Sequence, residues 1–382
     1  MKDIPNSRLF GWLSLVIVAG YFVVGLWPFA FQPPNRVSWR PNRAGLHFEP
    51  YGIAYDSASL PASAGLNGAA SPSANFTVEL WLEAQHEPND DVFDILTMHN
   101  PRLPLDFTVC QWQKELLLRA TTQPLQPVRQ IPELSAGEVL PKQTTRFITI
   151  CGDATGTDFY VDGSVDKHFP RFVVNAEALD GQLILGNGAS GKHSWSGWLF
   201  GLAFYNRVLD PAEIARHYAL WTQGRADQLT NTAGLRALYL FNEGHGQLAE
   251  DSSSNGHHII IPVVFQPVHR DLLIPPWKDL SYHHPDYPDI AVNILGFMPF
   301  GFCFFLYRRS LKPKHWIANA LLVVLAGAAV SLAIEVIQAW LPNRVSSTMD
   351  LLTNTTGTLL GVALAVAVRF KVTKAESAPE PR

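Results

Sequence analysis

The stretch IEVIQAWLPNRVSSTMDLLTNTTGTLLG, Ile334 to Gly361, sets two carboxylates (Glu335, Asp350), two amides (Gln338, Asn354) and one guanidinium (Arg344) between apolar runs. Asp289 and Asn293 add a second acid–amide pair upstream. Two carboxylates in one site can act as general acid and base. A guanidinium flanked by amides suits a different task, bidentate recognition of phosphate with hydrogen bonds to the rest of a headgroup. A third reading is structural: Arg344 folds back onto Glu335 or Asp350 and locks the hairpin between them. Glu335 needs a reason in any case, because insertion scales put an ionisable side chain at the centre of a membrane helix at about 2.5–3.5 kcal/mol. Its place near a helix end lowers that cost.

Helices must position these groups. Asp289 and Asn293 are four residues apart and share a face. Ser331, Glu335 and Gln338 follow the i, i+4, i+7 rhythm of one stripe, as do Asp350, Asn354, Gly357 and, one turn further, Gly361. Gly357-x-x-x-Gly361 is a small-xxx-small pattern that lets a second helix approach closely. Pro299 and Gly301 predict a loosened helix with a freed carbonyl in the bundle.

The chain has 382 residues, 47% hydrophobic and 16% charged, with a net charge of −4, and no basic run that would mark a nucleic-acid partner. Charge is distributed unevenly. Leu9–Asn35, Ile290–Tyr307, Trp316–Ile334 and Leu351–Val368 carry none, and each approaches the roughly 20 residues that cross a hydrocarbon core. Four transmembrane helices are expected. The first follows Lys2 and Arg8 as a signal peptide would, yet it is long and has no small-x-small cleavage site, so an uncleaved anchor is expected. Arg308, Arg309, Lys312 and Lys314 fill one short loop, and Arg369, Lys371 and Lys374 follow the last span. The positive-inside rule makes both cytoplasmic, with the N-terminus, and places the insert and the Arg344 hairpin outside. The expected domains are 1–35 (N-terminus and first helix), 36–284 (insert and linkers), 285–370 (bundle, helices about 290–307, 316–340 and 350–369) and 371–382 (tail).

The insert reads as all-β. FTVELWLE alternates Phe76, Val78, Leu80 and Leu82 with Thr77, Glu79, Trp81 and Glu83, the period of a half-buried strand. Asp162-Gly163 within DFYVDGSV predicts a hairpin. Asp210, Pro211 and Glu213 predict the capped start of a short helix. Cys110 and Cys151 lie in strand-like runs where a disulfide is chemically allowed, but strand spacing does not show that they meet. The pairs His257-His258 and His283-His284 lack the convergent ligands of a zinc site, and no carboxylate pair of glycosidase type can be singled out. The motifs FTVELWLE, FYVDG, LILGNG, WSGWLFGLAFYNRVLDPAEI and LYLFNEGHGQLAEDSSSNGHH resemble the concanavalin-A-like, laminin-G-like sandwich over about Ala44–Val264. The last motif usually opens such a module and here stands near its end, a rotated order that neighbouring terminal strands allow. The resemblance implies glycan or protein binding, with Asp251 and Asn255 as rim candidates for calcium; a polar turn closed by Asx hydrogen bonds accounts for the same residues.

Asp289-x-x-x-Asn293, Phe297-x-Pro299-x-Gly301, Glu335-x-x-Gln338, Arg344 and Asp350-x-x-x-Asn354-x-x-Gly357-x-x-x-Gly361 together resemble the VanZ-like membrane protein family, apart from the large insert. That resemblance implies a bacterial cell-envelope setting associated with glycopeptide-antibiotic resistance and does not supply a reaction. The expected whole is a multidomain membrane protein, a four-helix bundle with an all-β sandwich inserted between helices 1 and 2. Its sandwich would bind a glycan or surface protein. Its outer pocket, formed by Asp289, Asn293, Glu335, Gln338, Arg344, Asp350 and Asn354, would engage a lipid headgroup or lipid-linked glycan precursor. No cofactor is expected beyond calcium in the sandwich. Two alternatives stand beside this: an enzyme on a lipid-linked glycan with Glu335 and Asp350 as acid and base, and a transporter, which four spans without an internal repeat argue against.

Overall fold

Alternating apolar residues and tight turns build two eight-stranded antiparallel sheets in a computed structural model that describes residues 7–57, 74–85, 91–123, 131–276, 287–342 and 344–376, with side chains to residue 368. One sheet runs in the order Val37–Trp39, Leu46–Phe48, Gly197–Tyr205, Phe76–Ala84, Thr145–Asp153, Gly156–Val161 and Ser164–Phe169, with Leu235–Tyr239 also paired to Gly197–Tyr205. The other runs Leu248–Ala249, Ile259–Ile260, Ala54–Asp56, Gln182–Leu185, Val92–His99, Phe107–Trp112, Glu115–Arg119 and Glu133–Ser135. The predicted hairpin forms: Asp162 (φ 51°) and Gly163 (φ 79°) turn Gly156–Val161 into Ser164–Phe169 with the two positive φ values that a tight two-residue turn requires. Phe48, Leu80, Phe107, Ile148, Phe159, Leu202 and Tyr239 belong to the core between the sheets.

Helix α1 spans Ser7–Leu26, α2 Pro211–Thr222, α3 Tyr287–Leu311, α4 Trp316–Gln338 and α5 Thr348–Glu376. The sequence predicts Thr77 and Glu79 on a half-exposed face, but both are fully buried. The reason is α2, whose Ile214, His217 and Trp221 belong to a second apolar layer with Phe147, Cys151 and Tyr205 of the first sheet. The start of α2 is fixed as its residues predict: Asp210 accepts from Ala212 N (2.9 Å) and Glu213 N (2.8 Å), while Glu213 accepts from Asp210 N (3.2 Å).

The chain divides into two units, residues 32–269 and the flanking 1–31 with 270–382. The first unit is sewn shut where it begins and ends. Pro34 bridges Val264, Asn35 N donates to Val263 O (3.0 Å), and Phe265 N donates to Pro33 O (2.9 Å). Ile259 and Ile260 pair with Asp56 and Tyr55, so the late motif and the early strand are neighbours and the rotated order is sound. Past residue 269 the chain joins the other unit, where Leu273 and Ile274 hydrogen-bond to the chain just before α5: Ile274 N to Ser346 O (2.8 Å) and Thr348 N to Ile274 O (3.0 Å). His283 and His284 lie outside the described residues.

In the second unit α1, α3, α4 and α5 are each long and apolar enough to cross a membrane. Pro299 is accommodated inside α3. One turn before it, Gly296 O accepts from Tyr21 Oη of α1 at 2.6 Å, and the Tyr21 and Phe297 rings stack with centroids 4.3 Å apart. Gly357 and Gly361 face the α3 backbone; a Cβ on Gly357 would collide with the carbonyl oxygen of Ile294, and one on Gly361 with that of Met298. Close backbone approach therefore holds α3 against α5.

Candidate functional site

Polar side chains from α3, α4 and α5, with backbone carbonyls from the end of α1, gather at the end of the bundle that carries Glu335. Glu335 is 2% exposed, and its Oε2 accepts from Ser347 N at 2.8 Å. Ser347 in turn accepts from Met349 N at 3.1 Å and so caps α5. Glu335 thus occupies the N–H that a capping box would give to a side chain of the helix's own first turn. Asn293 Nδ2 donates to Asp350 Oδ1 (3.0 Å), tying α3 to α5. Asn354 Nδ2 donates to Ser331 Oγ (3.0 Å), tying α5 to α4. Gln338 Nε2 donates to Gly25 O (2.9 Å), and Arg344 reaches Trp27 O (3.2 Å) and Val24 O (3.4 Å), so α1 joins the same cluster.

The structure corrects one expectation. Arg344 makes no ion pair with Glu335 or Asp350 among the described residues; it donates to carbonyls at the end of α1, where backbone oxygens have run out of helical donors. Asp289 is exposed at the start of α3. Three buried polar atoms in the cluster have no partner among the described residues: Gln338 Oε1, Asn354 Oδ1 and Arg344 Nε. Two acceptors and a cationic donor left unmet would each cost about 1–3 kcal/mol, more for the charged one.

In the sandwich, Asp251 is occupied. Its Oδ1 accepts from Leu238 N (3.0 Å) and Ser253 N (2.8 Å), its Oδ2 from Ser253 Oγ (2.8 Å) and His257 N (3.1 Å). Asn255 Nδ2 donates to Arg236 O at 2.8 Å. The two residues close a turn, and no group of three or more metal-ligating side chains converges among the described residues. Cys110 and Cys151 are free thiols in different sheets. Burial pushes the Cys151 thiol up to about 12, and Cys110 also stands well above the ordinary thiol range, with Sγ 3.3 Å from Asp94 Oδ1. A buried polar knot not foreseen from the sequence sits under α2: Glu79 accepts from Trp221 Nε1 (3.1 Å) and Tyr205 Oη (3.4 Å), and its Oε1 lies 2.7 Å from His217 Nδ1. Only the Trp and His on one face of α2 hinted at it.

Fold and site together define a multi-pass membrane protein with a β-sandwich inserted after its first helix. Residues 227–369 match the family model described as VanZ/LLP1, and residues 54–215 match the one described as the Concanavalin A-like lectin/glucanases superfamily. The chain thus joins a VanZ-like segment to an inserted concanavalin-A-like sandwich, as its motifs imply. No curated protein matches. Among solved structures, a Bacteroides ovatus protein described as carbohydrate binding is similar at 14% identity and TM-score 0.39, over 59% of this chain and 61% of its own. The receptor-binding domain of botulinum neurotoxin D is similar at 10% identity and TM-score 0.36, over 48% of this chain and 46% of its own. The binding domain of Paraclostridial Mosquitocidal Protein 1 is similar at 12% identity and TM-score 0.34, over 52% of this chain and 47% of its own. The chain spans less than two thirds of each.

Proposed function

We propose that this is a bacterial cell-envelope protein of the cytoplasmic membrane, with both termini in the cytoplasm and the sandwich outside, that binds rather than transforms its ligands. The polar cluster at the outer end of the bundle engages the headgroup of a lipid or lipid-linked glycan precursor, with Arg344 on phosphate and Gln338 and Asn354 on neighbouring hydroxyls. The sandwich recognises a glycan or surface protein, a role that rests on its concanavalin-A-like family, and glycopeptide resistance is the setting that the VanZ-like segment suggests. The observation that carries the reading is the set of buried atoms on Gln338, Asn354 and Arg344 that have no partner among the described residues.

Acid–base chemistry is the second reading, and the hydrogen bonds weigh against it. One oxygen of Glu335 is committed to Ser347 N, and one oxygen of Asp350 to Asn293. Glu335→Gln and Asp350→Asn retain shape and remove proton transfer. In cells lacking the native chain, both variants are expected to restore growth under envelope stress as well as the native protein does. Loss of complementation by both, with native-level membrane expression, would favour the enzyme.

A further inference from the structure

At the opposite end of the bundle a groove of about 540 Å³ runs between α1 and α3, with Arg8, Trp12 and Leu15 on one side, Phe300, Phe304 and Tyr307 on the other, and Ala326 of α4 also in its lining. Its size lies in the range of small-molecule sites, about 300–1,000 Å³. The α3 wall is one helical stripe of aromatic rings; Phe300 and Phe304 stack at 5.4 Å, Phe304 and Tyr307 at 6.3 Å. Gly11 admits the Tyr307 ring, since a Cβ there would come within 3.0 Å of it. Ser14, also in the lining, donates to Phe10 O at 2.8 Å, so its hydroxyl is met within α1.

Its length and its charge identify what it fits. From Arg8 to Val18, the last α1 residue of the lining, the helix rises about 15 Å at 1.5 Å per residue. That is half of the roughly 30 Å hydrocarbon core, the depth of one leaflet. The apolar trough ends at Arg8, which is exposed and has no partner among the described residues. Arg308 and Arg309 follow Tyr307 at the same end, and the buried Arg308 Nε has no partner among the described residues. A cation at headgroup level over a one-leaflet apolar trough is complementary to a lipid with a net negative headgroup.

We propose that the groove between α1 and α3 is a site for one anionic phospholipid, with an acyl chain along the aromatic stripe and the phosphate at Arg8. The site is independent of the Arg344 cluster and can stand or fall without it.

The test is native mass spectrometry of the full chain, delipidated in detergent and titrated with phosphatidylglycerol or phosphatidylcholine of matched chains. One equivalent should bind saturably, phosphatidylglycerol about fivefold more tightly, the effect of about 1 kcal/mol for one basic residue at a headgroup. Arg8→Gln should bring phosphatidylglycerol to the level of phosphatidylcholine, and Leu15→Trp, which fills the groove from its α1 wall, should exclude both without changing helix content. Equal affinity for the two lipids in the native chain, a preference that survives Arg8→Gln, or an equivalent that survives Leu15→Trp would overturn the proposal.

Discussion

A guanidinium two to three turns beyond a buried carboxylate would ordinarily be matched with it. Here the Glu335 oxygen is taken by Ser347 N–H, and Arg344 instead finds carbonyls at the end of α1. Spacing on a helix made Glu335, Gln338, Asp350 and Asn354 legible as members of one site. The partners of Asp350 and Asn354, Asn293 and Ser331, lie on the stripes the spacing marks, whereas those of Gln338, Arg344 and Glu335 were not legible, because Gly25 O, Trp27 O and Ser347 N are backbone groups whose availability depends on where a helix ends. The sandwich offers a cleaner electrostatic case. Glu213 holds both Arg207 terminal nitrogens at 2.7 Å, and the guanidinium keeps its carboxyl low, at about 2. A folded pKa below the unfolded one stabilises above the unfolded value, about 4.3, and the effect fades as pH falls toward 2. Glu213→Gln should therefore cost about 1 kcal/mol at pH 7, given partial exposure of the pair, and the gap in thermal midpoint from the native protein should close between about pH 5 and pH 2.

Helix against helix, packing rests on glycine. The α3 backbone lies where side chains at Gly357 and Gly361 would begin, so even a methyl group must separate the helices. Gly361→Ala should destabilise the bundle by about 1–3 kcal/mol, the usual cost of overpacking. Gly20→Ala on α1, where nothing lies within 4 Å, should be neutral or slightly stabilising through helix propensity. Thermal unfolding of the two variants in one detergent checks both. The small-residue stripe was readable as a period in the sequence. The cover on the first sheet was not, since a strand's alternation reports which residues share a face and is silent about a helix that lands on the outer one. Glu79 looked solvent-facing for that reason, and is buried because α2 supplies His217 and Trp221 as its partners.

For the molecule as a whole, uncharged runs and turn motifs were enough to read four apolar helices interrupted by a sandwich, because membrane spans and strands carry the two strongest periodic signals in a chain. Leu273 and Ile274, which follow the sandwich, are tied to the α5 entry by the Ser346 and Thr348 hydroxyls and by two backbone bonds of Ile274, contacts that no periodic signal in the sequence reports. What a sandwich inserted in a membrane chain needs, entry and exit side by side, is met by the Pro34–Val264 bridge and Asn35. The proposed site for a phosphate-bearing headgroup lies at the Arg344 end of the bundle. Its most direct test is the affinity of the full chain in nanodiscs for a polyprenyl-diphosphate-linked disaccharide, compared with the Arg344→Ala variant. Loss of one charge-assisted hydrogen bond, about 1.5–3 kcal/mol, predicts at least a tenfold weaker Kd for the variant. An unchanged Kd, or equal binding of an uncharged polyprenol by the native chain, would contradict the account.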